Sequence, residues 1–210
     1  MTPDGLSVQT APDLTVGEPD QALTLAPFVL PVCLSHAECA ALIALFEDRD
    51  AGRSRLTGGV AVSAVRSSSS LWFDDRDVPW LAGRLSGLAA KACREAFPFE
   101  IDGFEEGYQL LRYDAPSADA PDGDFYHWHV DIGGHGTARS RKLTLIVQLS
   151  APESYTGGAL ELNADGTPET LPAEAGMGLA FPSFMPHRVR PVESGVRYSL
   201  VAWLHGPAFR

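Results

Sequence analysis

The second half of this chain most constrains what it can fold into. From about residue 106 to residue 204, short apolar runs recur, each ended by Gly, Pro, Asn or Asp. The runs are 106–113, 125–131, 142–149, 158–162, 176–181, 187–192 and 196–204. Their lengths suit strands, and beyond Pro98 no convincing helical period follows, so the pattern predicts short β-strands joined by turns. The first half reads differently. Ser35-His-Ala-Glu38 is a capping box ahead of Ala41, Leu42, Leu45 and Phe46, which predicts a helix over roughly 36–48. Asp77-Val-Pro-Trp80 opens a second helix, with Asp77 as N-cap and Pro79 in the first turn. It runs to about Phe97 and gathers Leu81, Leu85, Leu88, Ala89 and Ala92 on one face. Leu23, Leu25, Phe28 and Leu30 predict a strand ending at Pro31, and 60–65 and 69–73 predict two more.

Two helices ahead of about eight strands predict an α+β, mainly β fold. The helices lie outside one curved barrel or double-sheet jelly roll. Residues 1–21 are polar, with Pro, Gly and Asp throughout, and predict a flexible N-terminal arm. The remainder, 22–210, is of a length for a single domain.

Charge narrows the partners. Sixteen basic against 27 acidic residues give a net charge of −11. That excludes nucleic acid as the main partner and adhesion to an anionic membrane, since both need clustered Lys and Arg. No apolar run approaches the ~18 residues of a membrane span. Residues 1–20 carry neither a basic stretch nor an apolar stretch of the secretory kind. Cys33, Cys39 and Cys93 have no zinc or redox-pair spacing and read as thiols in a reducing compartment. The expectation is a cytoplasmic soluble protein.

His129-Val-Asp131 carries the chemistry. Side chains on a strand alternate, so His129 and Asp131 share a face and can reach one metal ion. His187 opens a later run, after Phe181-Pro-Ser-Phe-Met-Pro186. Two His and one carboxylate occupy one face of an octahedral metal and leave the other face open, the facial triad of non-haem Fe(II) oxygenases. Such a site also accepts manganese, cobalt or nickel. Ten positions beyond His187, Arg197 and Ser199 share a face with Val201 and Trp203 on the last strand. An arginine among apolar neighbours needs an anionic partner, and a dicarboxylate would supply one.

Taken together, these residues make the chain resemble the Fe(II)- and 2-oxoglutarate-dependent dioxygenases, in their prolyl 4-hydroxylase-like branch. The resemblance covers about 22–206. It is carried by Tyr126-His-Trp-His129-Val-Asp131, Thr156-Gly-Gly-Ala-Leu-Glu161, Gly178-Leu-Ala-Phe-Pro-Ser183, His187-Arg-Val-Arg-Pro-Val192 and Arg197-Tyr-Ser-Leu-Val-Ala-Trp203. It implies a double-stranded β-helix buttressed by helices, with a catalytic β-core over about 106–206. It implies His129, Asp131 and His187 as iron ligands, and Arg197, helped by Ser199, on the distal carboxylate of 2-oxoglutarate. Tyr113 matches a tyrosine that often contacts the same co-substrate, and Gln148 a position that often lines the pocket; on pattern alone Gln148 reads equally as a solvent-facing edge amide.

The activity implied is hydroxylation of an unactivated C–H with Fe(II), 2-oxoglutarate and O₂, releasing succinate and CO₂, with ascorbate as an optional reductant. A prolyl or other amino-acid side chain, peptidyl or free, heads the substrates. The same chemistry on a small natural-product metabolite is the alternative, and a non-catalytic cupin-like metal-binding module is the third reading. Asp131 stands where family halogenases lack a carboxylate, which favours hydroxylation.

Among other residues, His127 shares the parity of His129 and reads as lining the entrance or bonding behind the ligands. Trp128 reads as packing between sheet and helices. Arg66, Trp72 and Asp74 lie in a region that often folds over the mouth of such sites. The acidic, Pro-rich insertion 114–124 reads as a lid.

Overall fold

The structure is a computed structural model that describes residues 25–49, 52–53, 65–118 and 120–209. The expected arm (1–21) and most of the 60–65 strand lie outside the described residues. The elements in chain order are β1 (Phe28–Leu30), α1 (His36–Asp48), β2 (Gly52–Arg53), β3 (Arg66–Ser67), β4 (Ser69–Phe73) and α2 (Leu81–Glu95). There follow β5 (Tyr108–Asp114), β6 (Phe125–His129), β7 (Arg141–Gln148), β8 (Tyr155–Gly157) and β9 (Leu160–Leu162). The chain closes with β10 (Glu169–Thr170), β11 (Gly178–Pro182), β12 (His187–Val189) and β13 (Val192–His205).

The strands form two antiparallel sheets. The major sheet runs β1-β11-β7-β13-β5-β4-β2, with β8 pairing the start of β13. The minor sheet runs β10-β9-β12-β6-β3. The expected α+β, mainly β, double-stranded β-helix is the fold observed.

Strand alternation builds two separate cores. Leu110, Leu143, Leu145, Val147, Leu200, Ala202 and Leu204 turn to the outer face of the major sheet. There they meet Leu42 and Phe46 of α1 and Leu81, Leu85, Leu88 and Ala92 of α2. Leu111, Tyr113, Ile146, Val201 and Trp203 turn inward to meet Leu160, Leu162 and Val189 of the minor sheet. Each fully buried leucine contributes about 2 kcal/mol. The inward face is the one that carries Arg197 and Ser199, so the parity read on the last strand places both between the sheets.

α1 begins and ends at the expected residues. Ser35 Oγ accepts the Glu38 N–H at 3.3 Å, and a Glu38 carboxylate oxygen accepts the Ser35 N–H at 2.7 Å. α2 starts four residues later than Asp77. The Asp77 carboxylate accepts the Asp74 N–H at 3.0 Å and pairs with Arg49 at 2.7 Å, so it caps a turn instead of a helix. The helix begins after Trp80, which makes no side-chain cap bond.

The insertion 114–124 folds back on its own base. Asp124 is fully buried, receives the Ser67 hydroxyl at 2.5 Å and the Asp114 N–H at 3.2 Å, and its carbonyl accepts the Val192 N–H. None of its described residues lines the cavity between the sheets. Cys33 and Cys39 are buried free thiols, pushed up to about 11 by burial. No helix among the described residues is long and apolar enough to cross a membrane.

Candidate active site

A cavity of about 180 Å³ lies between the sheets. His129, Asp131 and His187 meet on one wall of it, and their ligand atoms all lie within 4.8 Å of one another. Asp131 oxygens stand 3.7 Å from His129 Nε2 and 3.6 Å from His187 Nε2.

The two histidines are oriented by their backbones. His129 Nδ1 lies 2.8 Å from the His127 carbonyl, and His187 Nδ1 lies 3.0 Å from the Met185 carbonyl. A carbonyl only accepts, so each Nδ1 carries the proton and each Nε2 presents a lone pair to the cluster. Burial first, and then the His187 ring, lower the His129 pKa to about 3, so its imidazole is neutral near pH 7. Burial alone would raise the Asp131 carboxyl. The two imidazoles, the Trp203 indole and the Thr144 hydroxyl outweigh it, and the net direction is down. Two imidazoles and one carboxylate fit a divalent metal with an open face.

A break in the pairing of the minor sheet decides which side chains face the cavity. His187 pairs with His129, but Val189 pairs with Tyr126, three residues away on β6. The extra residue is a β-bulge, and it reverses the parity within the strand. Tyr126 therefore faces the cavity and stacks on the His129 ring, with centroids 3.4 Å apart. His127 points into solvent, and its contribution behind the ligands is its carbonyl alone. Strict alternation had assigned His127 to the ligand face. β6 ends at His129, so Asp131 reaches the site from the following loop. That loop is pinned where the Asp131 and Ile132 N–H groups both donate to the Ser183 carbonyl at 2.9 Å.

Arg197 occupies the same cavity and is 2% exposed. Its Nη2 donates to Gln148 at 2.9 Å, its guanidinium lies 5.4 Å from the Tyr113 ring centre, and Nη1 is buried without a hydrogen-bond partner. A buried cation with an idle N–H inside a cavity fits an anionic ligand there. Ser199 and Tyr113 line the cavity beside it, and burial raises the Tyr113 phenol, keeping it neutral. Gln148 is a buried amide held between Arg197 and Tyr155, which removes the reading of a solvent-facing edge residue.

Arg66 and Trp72 line the cavity as well, whereas Asp74 pairs with Arg76 outside it. Trp72, 48% exposed, stacks on Trp203 with centroids 5.7 Å apart. The Arg141 guanidinium lies over the Trp203 ring as well, 3.7 Å from its centre. Arg141 makes a two-pronged pair with Glu106 (2.6 and 2.7 Å) and donates to the Asp131 carbonyl at 3.2 Å. Fully buried His205 meets the same Glu106 at 3.1 Å. The sequence reading missed Tyr126 and this Arg141 network. Trp128 packs under Arg188 at 4.7 Å on the far side of the minor sheet, away from the helices.

Residues 108–205 match the profile of the 2OG-Fe(II) oxygenase superfamily. A PKHD-type hydroxylase of Hyphomonas neptunium is 42% identical over 86 residues, which are 40% of this chain and 38% of that protein. One from Acaryochloris marina is 43% identical over 84 residues, 40% of this chain and 37% of that protein. The matched stretches thus span well under half of these curated relatives. Among solved structures, a Pseudomonas putida prolyl-4-hydroxylase aligns with TM-score 0.66 and 21% identity over 88% of this chain and 95% of that one. A Trichoplax adhaerens prolyl hydroxylase, solved in complex with a hypoxia inducible factor peptide fragment, aligns with TM-score 0.71 and 18% identity over 87% and 84%. Over residues 108–205 the chain is thus similar to the 2OG-Fe(II) oxygenase superfamily, and its fold is that of the solved prolyl hydroxylases.

Proposed function

We propose that the protein is an Fe(II)- and 2-oxoglutarate-dependent hydroxylase of an amino-acid side chain, with prolyl residues first among its substrates. The observation that carries this reading is one cavity that holds both halves of the chemistry. The Nε2 atoms of His129 and His187 and the Asp131 carboxylate converge on one wall of it, and the buried Arg197 Nη1, which has no hydrogen-bond partner in the protein, lines it too.

His129, Asp131 and His187 would hold the metal. Thr144 donates to an Asp131 oxygen at 2.7 Å and keeps that carboxylate turned toward the histidines. Arg197, with Ser199 and the neutral Tyr113 phenol, would bind the distal carboxylate of 2-oxoglutarate. Bound iron, with 2-oxoglutarate as the reductant for O₂, supplies the oxidation that turns R–H, 2-oxoglutarate and O₂ into R–OH, succinate and CO₂. The chain's share is position and dryness. Leu111, Ile146, Leu160, Val189 and Val201 wall the cavity with apolar surface and limit water. The half-exposed Trp72, stacked on Trp203, offers an aromatic face to an apolar ring or side chain arriving from solvent. The peptide complex of the Trichoplax relative supports a peptide substrate.

Succinate release tests the reading. Purified protein with Fe(II), 2-oxoglutarate and a panel of proline-containing peptides and free amino acids should form succinate, and His129→Ala should not. Metal binding with no affinity for 2-oxoglutarate would instead support the cupin-like reading.

A further inference from the structure

Arg197 is held at both ends by residues that do not line the cavity. Gln148 sits opposite Ser199 across the β7–β13 ladder, and its side-chain oxygen accepts Arg197 Nη2–H at 2.9 Å. Arginine only donates, so the amide oxygen must face Arg197 and the amide nitrogen must face away. That nitrogen donates to the Tyr155 hydroxyl at 3.0 Å. Arg197 thus sets which end of the amide it meets, and the tyrosine ties the Gln148 side chain in that place.

The stem of Arg197 is fixed by the turn after β8. Gly158 has φ +60°, and a Cβ there would stand 2.9 Å from Val192 Cγ2, 3.1 Å from Arg197 Cδ and 3.4 Å from the Tyr155 ring. Only glycine lets the chain turn this close to both residues. Tyr155 pairs with Gly195 at the start of β13, so the strand that bears the arginine is bound to the strand that bears the tyrosine. Gln148 is neutral, so the guanidinium keeps its full charge. Its Nη2 is engaged by Gln148, and its Nη1 is buried with no partner in the protein.

We propose that Tyr155, acting through Gln148, is a positioning residue that selects a dicarboxylate over a monocarboxylate 2-oxo acid. It does so by fixing which arginine nitrogen meets the distal carboxylate. The proposal rests on the co-substrate reading given above.

The test compares 2-oxoglutarate with 2-oxovalerate, which has the same carbon chain without the distal carboxylate. Each is titrated calorimetrically into Mn(II)-loaded protein, so no turnover is involved. The parent should prefer the dicarboxylate. Tyr155→Phe keeps the ring packed on Gly158 and removes one hydrogen bond, so 2-oxoglutarate affinity should fall about five- to tenfold. Affinity for 2-oxovalerate and for Mn(II) should stay at parent values, and Tm should fall by no more than one buried hydrogen bond accounts for. Gln148→Glu places an anion on Arg197 and should reduce the preference further, by about 100-fold. An unchanged preference in Tyr155→Phe, or an equal loss for both acids, would overturn the proposal. A parent protein with no preference would overturn the co-substrate reading, and the positioning role would fall with it.

Discussion

Thr144 Oγ1 donates a 2.7 Å hydrogen bond to Asp131 Oδ2, and Ser183 Oγ lies 3.1 Å behind it. Thr144 has one proton, and it faces the carboxylate, so Ser183 must be the donor in the second bond. The relay runs from the turn after β11 through β7 to a residue on the loop after β6, and it sets the rotation of the only carboxylate in the triad. Thr144→Val keeps the branched shape and removes the hydroxyl. Mn(II) affinity, read by competition with a chelating dye, should fall about 10- to 100-fold, as when other supports of metal ligands are lost. Thr144→Ser should retain parent affinity. A valine variant with parent affinity would show that the relay does not orient Asp131.

The bulge in β6 separates two histidines that strict alternation places together. His127 directs its side chain to solvent and supplies only a backbone carbonyl to His129. His127→Ala should therefore leave Mn(II) affinity at the parent value, while His129→Ala abolishes it. A comparable loss in both variants would contradict the observed register.

Trp72 is nearly half-exposed, so its removal should cost little stability, but it forms one aromatic wall of the cavity. Trp72→Ala should raise KM for the organic substrate about two- to tenfold, the worth of one aromatic contact. Calorimetric affinity for 2-oxoglutarate should not change. The opposite split, weaker 2-oxoglutarate and unchanged substrate KM, would move Trp72 to the co-substrate side.

The acid limb of stability should show the α1 cap. The Ser35 backbone N–H and the Arg84 side chain hold the Glu38 carboxyl below its usual range. A carboxyl lowered in the folded state stabilises the fold above its unfolded pKa, and the gain disappears as pH falls through the folded value. Gln still fills a capping box, so Glu38→Gln removes the charge alone. Its Tm near neutral pH should lie about 2 °C below the parent, a small value for a solvent-screened pair. The gap should close in acid. A gap of constant size down the acid range would rule out the ionised carboxylate as its source.

Local signals were legible in the sequence. The Ser35–Glu38 capping box marked the start of α1 and the apolar run to Phe46 its extent, and alternation along 197–203 put Arg197 and Ser199 on the inward face. The His129–Asp131–His187 cluster was readable because residue type and order carry it. Two kinds of feature were not. The bulge is a mismatch between β6 and β12, strands 58 residues apart (187 − 129), and neither sequence shows it alone. Thr144–Asp131, Arg141–Glu106–His205 and Gln148–Tyr155 are bonds between elements, fixed only when the sheets pair. Asp77 shows the same limit on a shorter scale, since Arg49 and the Asp74 N–H compete for the carboxylate that would have capped α2.

The most direct measurement is a crystal structure of the protein grown anaerobically with Mn(II) and 2-oxoglutarate. The account predicts one metal ion bound by His129 Nε2, Asp131 and His187 Nε2, chelated by the 2-oxo acid, with the far carboxylate on Arg197 Nη1. A metal held by other side chains, or a 2-oxoglutarate that leaves Arg197 without an anion, would contradict it.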